Sequence, residues 1–149
     1  MSLDTSVFDR YLDAWLLHPM AGAPDGDSEL EQLLDCCSPE MRYEDVPTAS
    51  VYEGHEGMKR MCEGAYNWLS DVGAAVVTRQ NSGALFAVET VWRGTNTAAI
   101  GEHPATGRRF ALRMVSVGTI DDHGLVAEHR DYWDLASFLA EIGIGPASR

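Results

Sequence analysis

The second half of the chain alternates apolar and polar residues with a period of two over several long segments. Within residues 85–96, Glu89 and Arg93 share one parity, while Phe86 and Trp92 lie on the other. Side chains of a β-strand point alternately to its two faces, so this pattern is typical of strands with one buried and one exposed face. It predicts four strands, over residues 74–80, 85–96, 108–120 and 125–133, with a tight turn at residues 121–124 between the last two.

Helical periodicity marks the first half of the chain. Residues 8–16 repeat apolar side chains at intervals of three and four, which predicts an amphipathic first helix. The candidate caps of this helix are Asp4, Thr5 and Ser6. Ser28 and Glu31 form a capping-box pattern that predicts a second helix, with Cys37 on its apolar face and Pro39 breaking the chain after it.

Shorter elements complete the pattern. We predict a strand over residues 41–46, a third helix between Gly54 and Ser70, and a final helix that Asp134 caps and Gly143 ends. The loop-like stretches are residues 19–27, 47–53 and 101–107. Helices first and an antiparallel meander afterwards imply one α+β domain over residues 1–149.

Charge and cysteine content exclude several classes of protein. The formal net charge of −12 repels phosphate backbones and anionic lipids, so we expect neither nucleic acid nor a membrane as partner. No stretch approaches the roughly 20 apolar residues of a membrane span, and the first residues lack the pattern of a signal peptide, so we expect a cytoplasmic protein. Cys36 and Cys37 are adjacent and Cys62 stands alone, which predicts buried, reduced thiols and no metal site.

The predicted last strand contains a charge on its apolar side. Its outward residues are Glu128, Arg130 and Tyr132, and its inward residues are His129, Asp131 and Trp133. A carboxylate among apolar neighbours costs several kcal/mol unless it finds donors or takes up a proton, so Asp131 is a candidate functional group. The alternative is that Asp131 lies half exposed at the strand end, bonded to His129.

Three segments, taken with the order of elements, resemble the nuclear transport factor 2-like superfamily and its SnoaL-like polyketide cyclase branch. They are Gly101-Glu-His-Pro-Ala-Thr-Gly-Arg108, Asp121-Asp-His-Gly124 and Glu128-His-Arg-Asp-Tyr-Trp-Asp134. The resemblance implies a cone-shaped, curved, mixed or antiparallel sheet, closed by three N-terminal helices and followed by a short C-terminal helix, around an apolar pocket. It is less specific for chemistry, because this superfamily holds cyclases, isomerases, hydrolases and non-catalytic members.

Three kinds of family enzyme can be compared with these residues. Asp131 resembles the carboxylate that SnoaL-like cyclases use as general acid/base in an aldol closure, and His129 would assist it. Limonene epoxide hydrolase has a similar ending, and its water-holding pair resembles Tyr43 and Asp45. Its required Arg and second Asp, however, are Thr90 and Trp92 here, which makes epoxide hydrolysis the least favoured reading.

Ketosteroid isomerase offers the third comparison. Tyr11 resembles its oxyanion-donor tyrosine and Asp45 resembles its base, while Ser116 stands in place of its protonated Asp, as a weaker donor facing the substrate. Both candidates also have simpler readings: Tyr11 as part of the helix core, and Asp45 as a residue that orders the turn before Pro47.

These comparisons lead to one hypothesis and one alternative of another class. The hypothesis is a cofactor-independent cyclase or isomerase acting on a hydrophobic, carbonyl-bearing small molecule, with Asp131 as acid/base and Asp131→Asn inactive but near the original stability. Tyr11, Tyr43 and Asp45 would orient the substrate, and the pocket wall would comprise Trp15, Trp92, Met114 and Trp133. The alternative is a non-catalytic binding module in which Asp131 anchors a hydrophobic ligand. A homodimer through the polar outer face of the sheet is also open.

Overall fold

The alternating segments of the sequence form one sheet, and the helical segments cover one of its faces. The computed structural model describes residues 6–17, 26–65 and 67–145. The helices are α1 (Ser6–Leu17), α2 (Gly26–Asp35), α3 (Gly54–Ala65) and α4 (Leu135–Glu141). The strands are β1 (Cys37–Asp45), β2 (Ser50–Glu53), β3 (Leu69–Ser82), β4 (Leu85–Asn96), β5 (Arg109–Ile120) and β6 (Val126–Trp133).

The six strands are arranged in the order β2-β1-β6-β5-β4-β3. All neighbours are antiparallel except β1 and β6, which run parallel and place Asp45 beside Asp131. The predicted α+β class is therefore confirmed, with a mixed sheet. The parallel pair is the part of the topology that the predicted meander does not contain.

Burial along the strands follows the predicted parity. Phe86, Thr90 and Trp92 are buried on the inner face of β4, and across the outer face Glu89 forms a 2.9 Å ion pair with Arg113. α1 and α3 contribute buried apolar side chains to the same core as the inner face. The predicted sorting of the strand residues into two faces is confirmed.

Strands β5 and β6 approach each other closely at Gly118. A Cβ atom there would lie 2.1 Å from the carbonyl oxygen of Glu128 and 2.3 Å from Cζ of Phe86. No side chain fits at such distances, because real Cβ contacts are not found below 3.0 Å. The absence of a side chain at Gly118 thus allows Phe86 to pack against the paired strands β5 and β6 at this point.

Helix α2 differs from its prediction at both ends. It begins at Gly26, so Ser28 lies within its first turn rather than at the N-cap. Cys37 belongs to β1 instead of the helix, and Pro39 lies inside that strand. The pairing of β1 with β6 shifts register between Cys37 and Arg42, and such an irregularity accommodates a proline that cannot donate to the ladder.

Three other boundaries also differ. The predicted loop over 47–53 contains strand β2, which pairs with β1. The third helix ends at Ala65 instead of continuing to Leu69, which is the first residue of β3. β3 is longer than predicted because a register shift between Ser70 and Gly73, where Asp71 has a positive φ of 51°, lets the strand start early. The candidate caps Asp4 and Thr5, and residues 19–25 of the predicted first loop, lie outside the described residues.

The final helix matches its prediction closely. Asp134 is the N-cap of α4 and accepts a 3.1 Å hydrogen bond from the backbone N–H of Ser137. Gly143 follows the helix with φ of +84°. The three cysteines are free and buried, as predicted. Among the described residues, no helix has the length and apolar character needed to cross a membrane.

Candidate active site

A cavity of about 420 Å³ lies between the inner face of the sheet and the helices. This volume is within the range of pockets that bind small organic molecules. Its wall is mainly apolar and includes all four tryptophans of the chain: Trp15, Trp68, Trp92 and Trp133. Two carboxylates also line it, those of Asp45 and Asp131.

Asp131 accepts three hydrogen bonds although only 1% of the residue is exposed. Oδ1 accepts from Ser116 Oγ at 2.5 Å and lies 2.7 Å from His129 Nε2. Oδ2 accepts from the Tyr43 hydroxyl at 2.5 Å. The strand register explains this convergence, because Ser116 on β5 and Asp131 on β6 are Cα partners and Tyr43 on β1 pairs with His129.

These donors determine the charge of the Asp131 carboxyl. Burial alone would raise its pKa, but the charge of the neighbouring imidazole and the hydrogen bonds from the three donors outweigh burial and lower the pKa from its ordinary value of 3.8. The alternative of a half-exposed Asp131 is therefore wrong, while its bond to His129 is present. Asp131 is a buried carboxylate that stays ionised.

His129 and Tyr11 form a second layer behind Asp131. The Tyr11 hydroxyl lies 2.5 Å from His129 Nδ1, and both residues are 1% exposed. Burial raises the pKa of Tyr11 well above its ordinary value of 10.0, so the hydroxyl keeps its proton. The two imidazole nitrogens thus have one partner each, Nδ1 the Tyr11 hydroxyl and Nε2 the Asp131 carboxylate, so every polar atom of the ring is hydrogen-bonded.

Asp45 is only half-buried and has a different set of partners. Its Oδ1 accepts from Trp133 Nε1 at 2.6 Å, and its Oδ2 accepts from the Thr48 hydroxyl. Burial raises the pKa of Asp45 above its ordinary value of 3.8, the two hydrogen bonds oppose the rise, and the negative charge of Asp131 adds to it. The two carboxyls of the cavity wall, which belong to neighbouring strands, thus have pKa values shifted in opposite directions.

Asn96 fixes the loop that closes one side of the cavity. This fully buried amide donates to the carbonyls of Trp68 at 3.2 Å and Ala98 at 3.0 Å. Its oxygen accepts from the backbone N–H of Thr106 at 2.8 Å. The loop so held carries Ile100 into the cavity wall.

The structure brings most of the predicted site residues together, but at two depths. Those that line the cavity are Trp15, Tyr43, Asp45, Trp92, Met114, Asp131 and Trp133. Those that are buried outside the cavity lining are Tyr11, Ser116 and His129. Tyr11 therefore does not face a ligand, which differs from the oxyanion role that the isomerase comparison implies. Thr90 accepts a 3.0 Å bond from Trp92 Nε1.

Several lining residues were not predicted from the sequence. Phe110 has the inward parity of β5 and Phe138 lies on the apolar side of α4, so both carried a signal that could have identified them. Trp68 was assigned to the third helix but lies in the turn after it. Thr48 carried no signal beyond its place in a loop. In residues 6–17, 26–65 and 67–145, no three His, Cys, Asp or Glu side chains converge to hold a metal ion.

The mixed sheet, covered on one face by helices with an apolar cavity between them, has the same fold as a solved nuclear transport factor 2-like protein from Burkholderia pseudomallei, which is 17% identical with a TM-score of 0.72, over 96% of this chain and 99% of that one. Residues 8–142 match the family described as SnoaL-like polyketide cyclase, and the chain belongs to that family. No curated protein sequence matches the chain.

Solved structures show the same fold at low sequence identity. TsrD from Streptomyces laurentii is 23% identical with a TM-score of 0.77, over 96% of this chain and 99% of that one. A SnoaL-like protein from Jannaschia is 16% identical with a TM-score of 0.79, over 98% and 97%. A protein with a ketosteroid isomerase-like fold from Catenulispora acidiphila, in complex with trimethylamine, is 19% identical with a TM-score of 0.71, over 92% and 94%.

Proposed function

We propose that this protein is a cofactor-independent enzyme of the cyclase or isomerase type that moves a proton on a hydrophobic, carbonyl-bearing small molecule in the cavity. One observation carries the proposal: two carboxyls with oppositely shifted pKa values share an otherwise mainly apolar wall. Pairs of this kind separate the roles of proton carrier and fixed charge.

The geometry favours Asp45 over Asp131 as the proton carrier. Asp131 is saturated by three donors and its lowered pKa makes it a weak base, so its role is to hold Tyr43 and a fixed negative charge in place. Asp45 has the raised pKa and the greater exposure, which suit a general base in an apolar site.

The proposed reaction begins with loss of a proton from a carbon next to a carbonyl. Asp45 takes this proton, and the electron pair of the C–H bond forms an enolate on the substrate. In an isomerisation the protonated Asp45 returns the proton to a different carbon. In a cyclisation the enolate carbon attacks a second carbonyl, and the proton goes to the new alkoxide. Either route balances without a cofactor.

Deuterium exchange tests the first step directly. The native protein in D₂O is expected to speed deuterium incorporation next to the carbonyl of α-tetralone, measured by proton NMR. Asp45→Asn should lower this rate by about a hundredfold or more, the usual contribution of a general base. Glu40→Gln, which removes an exposed carboxylate from the same strand, is the matched control. Exchange by Asp45→Asn at the native rate would refute the assignment.

A second candidate function is a binding module without catalysis. The saturation of Asp131 by three donors favours it, because a carboxylate so satisfied is fully explained by structure. Tight binding of aromatic ketones without any deuterium exchange would support this candidate. The trimethylamine complex of the Catenulispora protein is a reason to include amines among the ligands tested.

Location and assembly complete the proposal. We infer a cytoplasmic protein, on the basis of the sequence pattern alone, and a homodimer through the outer face of the sheet. Val115 and Tyr132 are exposed on that face beside Glu89 and Arg113. Light scattering coupled to size-exclusion chromatography would measure the mass, and a monomer at micromolar concentration would contradict the dimer.

A further inference from the structure

The acidic and basic side chains that line the cavity are all acidic. Its 21 lining residues include the carboxylates of Asp45 and Asp131 and no lysine, arginine or histidine. Among the residues that the structure describes, Asp45 has no ion-pair partner, and its carboxylate receives only neutral donors, Trp133 and Thr48. His129 pairs with Asp131 from behind the wall, so the uncompensated charge is that of Asp45, and a ligand that brought a negative charge beside Asp45 would be repelled.

The apolar part of the wall is unusually rich in aromatic rings. Eight aromatic residues line the cavity: Trp15, Tyr43, Tyr52, Trp68, Trp92, Phe110, Trp133 and Phe138. Their faces carry negative quadrupole charge, which attracts cations within about 6 Å of the ring centroid, with tryptophan the strongest partner. Two of the indole N–H groups are already engaged, Trp92 with Thr90 and Trp133 with Asp45, so those rings offer a ligand mainly π surface.

We propose that the cavity selects an organic cation, a small molecule with an apolar skeleton and a substituted ammonium group that lies near Asp45 and against the tryptophan rings. This inference rests on the proposed use of the cavity as the ligand site and adds the charge class of the ligand. A methylated ammonium fits both parts of the wall, since its positive charge pairs with the carboxylates and its methyl groups contact the rings.

The cationic group would also serve the proposed chemistry. Removal of a proton by Asp45 leaves an enolate beside Asp131, and two negative charges in a low-dielectric space repel each other strongly. The charge moves from Asp45 to the enolate, and an ammonium group on the same substrate neutralises it there. The substrate itself would thereby supply the positive charge that the described part of the wall lacks.

Three probes of similar size separate charge from shape. They are benzyltrimethylammonium, its neutral near-isostere benzyl dimethyl carbinol, and the anion phenylacetate. Binding to the full chain is followed by tryptophan fluorescence, because all four tryptophans line the cavity, at about 0.15 M salt to screen the overall charge. We expect the cation to bind at least about tenfold more tightly than the carbinol, and phenylacetate to bind most weakly.

Variants locate the source of this preference. Asp45→Asn should lower the affinity for benzyltrimethylammonium by about tenfold and leave that for the carbinol within about twofold, which also shows that the cavity is intact. Glu40→Gln removes one negative charge from the exposed part of β1 and should change neither affinity. An equal loss of cation affinity in both variants would trace the preference to the net charge of −12 and overturn the proposal.

The remaining outcomes are equally decisive. Carbinol binding as tight as cation binding in the native protein, or no binding of any probe at millimolar concentration, would overturn the proposal. Deuterium exchange of the neutral α-tetralone together with a preference for the carbinol would leave the proposed enzymatic function standing without the cation. A preference for the cation without any exchange would leave the ligand class standing without the enzyme.

Discussion

Replacement of Asp131 by asparagine tests how the buried carboxylate is held. Asparagine keeps one acceptor oxygen, so the bonds from His129 and Ser116 can persist without a charged acceptor, while the Tyr43 hydroxyl must turn to accept from the new amide. A hydrogen bond to a charged group contributes about 1.5–3 kcal/mol and a neutral one about 1 kcal/mol. Three weakened bonds therefore lose about 3 kcal/mol in total.

Part of this loss is offset, because the variant no longer buries a charge. We expect Asp131→Asn to lower the free energy of unfolding by about 2 kcal/mol near pH 7, or the melting temperature by about 4–8 °C. The sequence alone led us to expect near-original stability for Asp131→Asn. Because three donors bind Asp131 in the structure, we now expect a measurable loss of stability. Urea unfolding followed by tryptophan fluorescence gives the value, and Asp122→Asn in the exposed turn before β6 is the matched control.

The pH dependence of the stability difference between the native protein and Asp131→Asn shows whether loss of the Asp131 charge causes that difference. The native-state pKa of Asp131 lies below its ordinary 3.8, so its ionised form stabilises the fold above that pH, and this contribution is lost as the pH falls through the lowered native value. The gap between the native protein and Asp131→Asn should be constant from about pH 7 to about pH 5 and narrow below about pH 4. A gap that is absent, or that does not narrow, would refute this account of the carboxylate.

Three further substitutions probe the close approach of β5 and β6 at Gly118, the loop over residues 97–107 and the proposed base Asp45. Gly118→Ala should lower the free energy of unfolding by about 3 kcal/mol or more, because its Cβ would lie 2.1 Å from a carbonyl oxygen of β6; Gly73→Ala, with nothing within 4 Å, should be nearly neutral in the same urea titration. Asn96→Ala should cost about 3 kcal/mol and speed amide hydrogen exchange in the loop over 97–107, and unchanged exchange would contradict its role there. Trp133→Phe removes a donor that lowers the pKa of Asp45, so the acidic limb of the exchange rate should move to higher pH; a shift to lower pH would exclude Asp45 as the base.

The sequence predicted what depends on local pattern. Parity alone placed Asp131 and Trp133 on the inner face of β6, because the direction of a strand side chain is determined by its position in the alternation. The alternation does not show, however, whether an inward side chain lines the cavity or is buried behind its wall. It could not show that His129 lies behind the cavity while Asp131 reaches its wall, since that difference depends on α1 and on the position of Tyr11.

Non-local contacts account for most of the other differences. Strand β2 has only four residues and is formed by pairing with β1, so its isolated sequence resembles a loop. Pro39 breaks a regular strand, yet the register shift beside it removes that conflict. Trp68 continues the apolar spacing of α3 but is held outside the helix, where its carbonyl accepts from Asn96. None of these contacts has a signature within a short window of sequence.

The parallel pairing of β1 with β6 also has a consequence for the order in which the protein becomes functional. Trp133 and Asp45, which share a hydrogen bond, are 88 positions apart in the chain. Long-range contacts of this kind form late, since the entropy of closing so large a loop opposes them until much of the sheet is in place. On the ribosome, Asp45 would be made early and remain without its strand neighbour until the last strand emerged. The hydrogen bond between Trp133 and Asp45, and with it the proposed acid/base site, would then form late in folding.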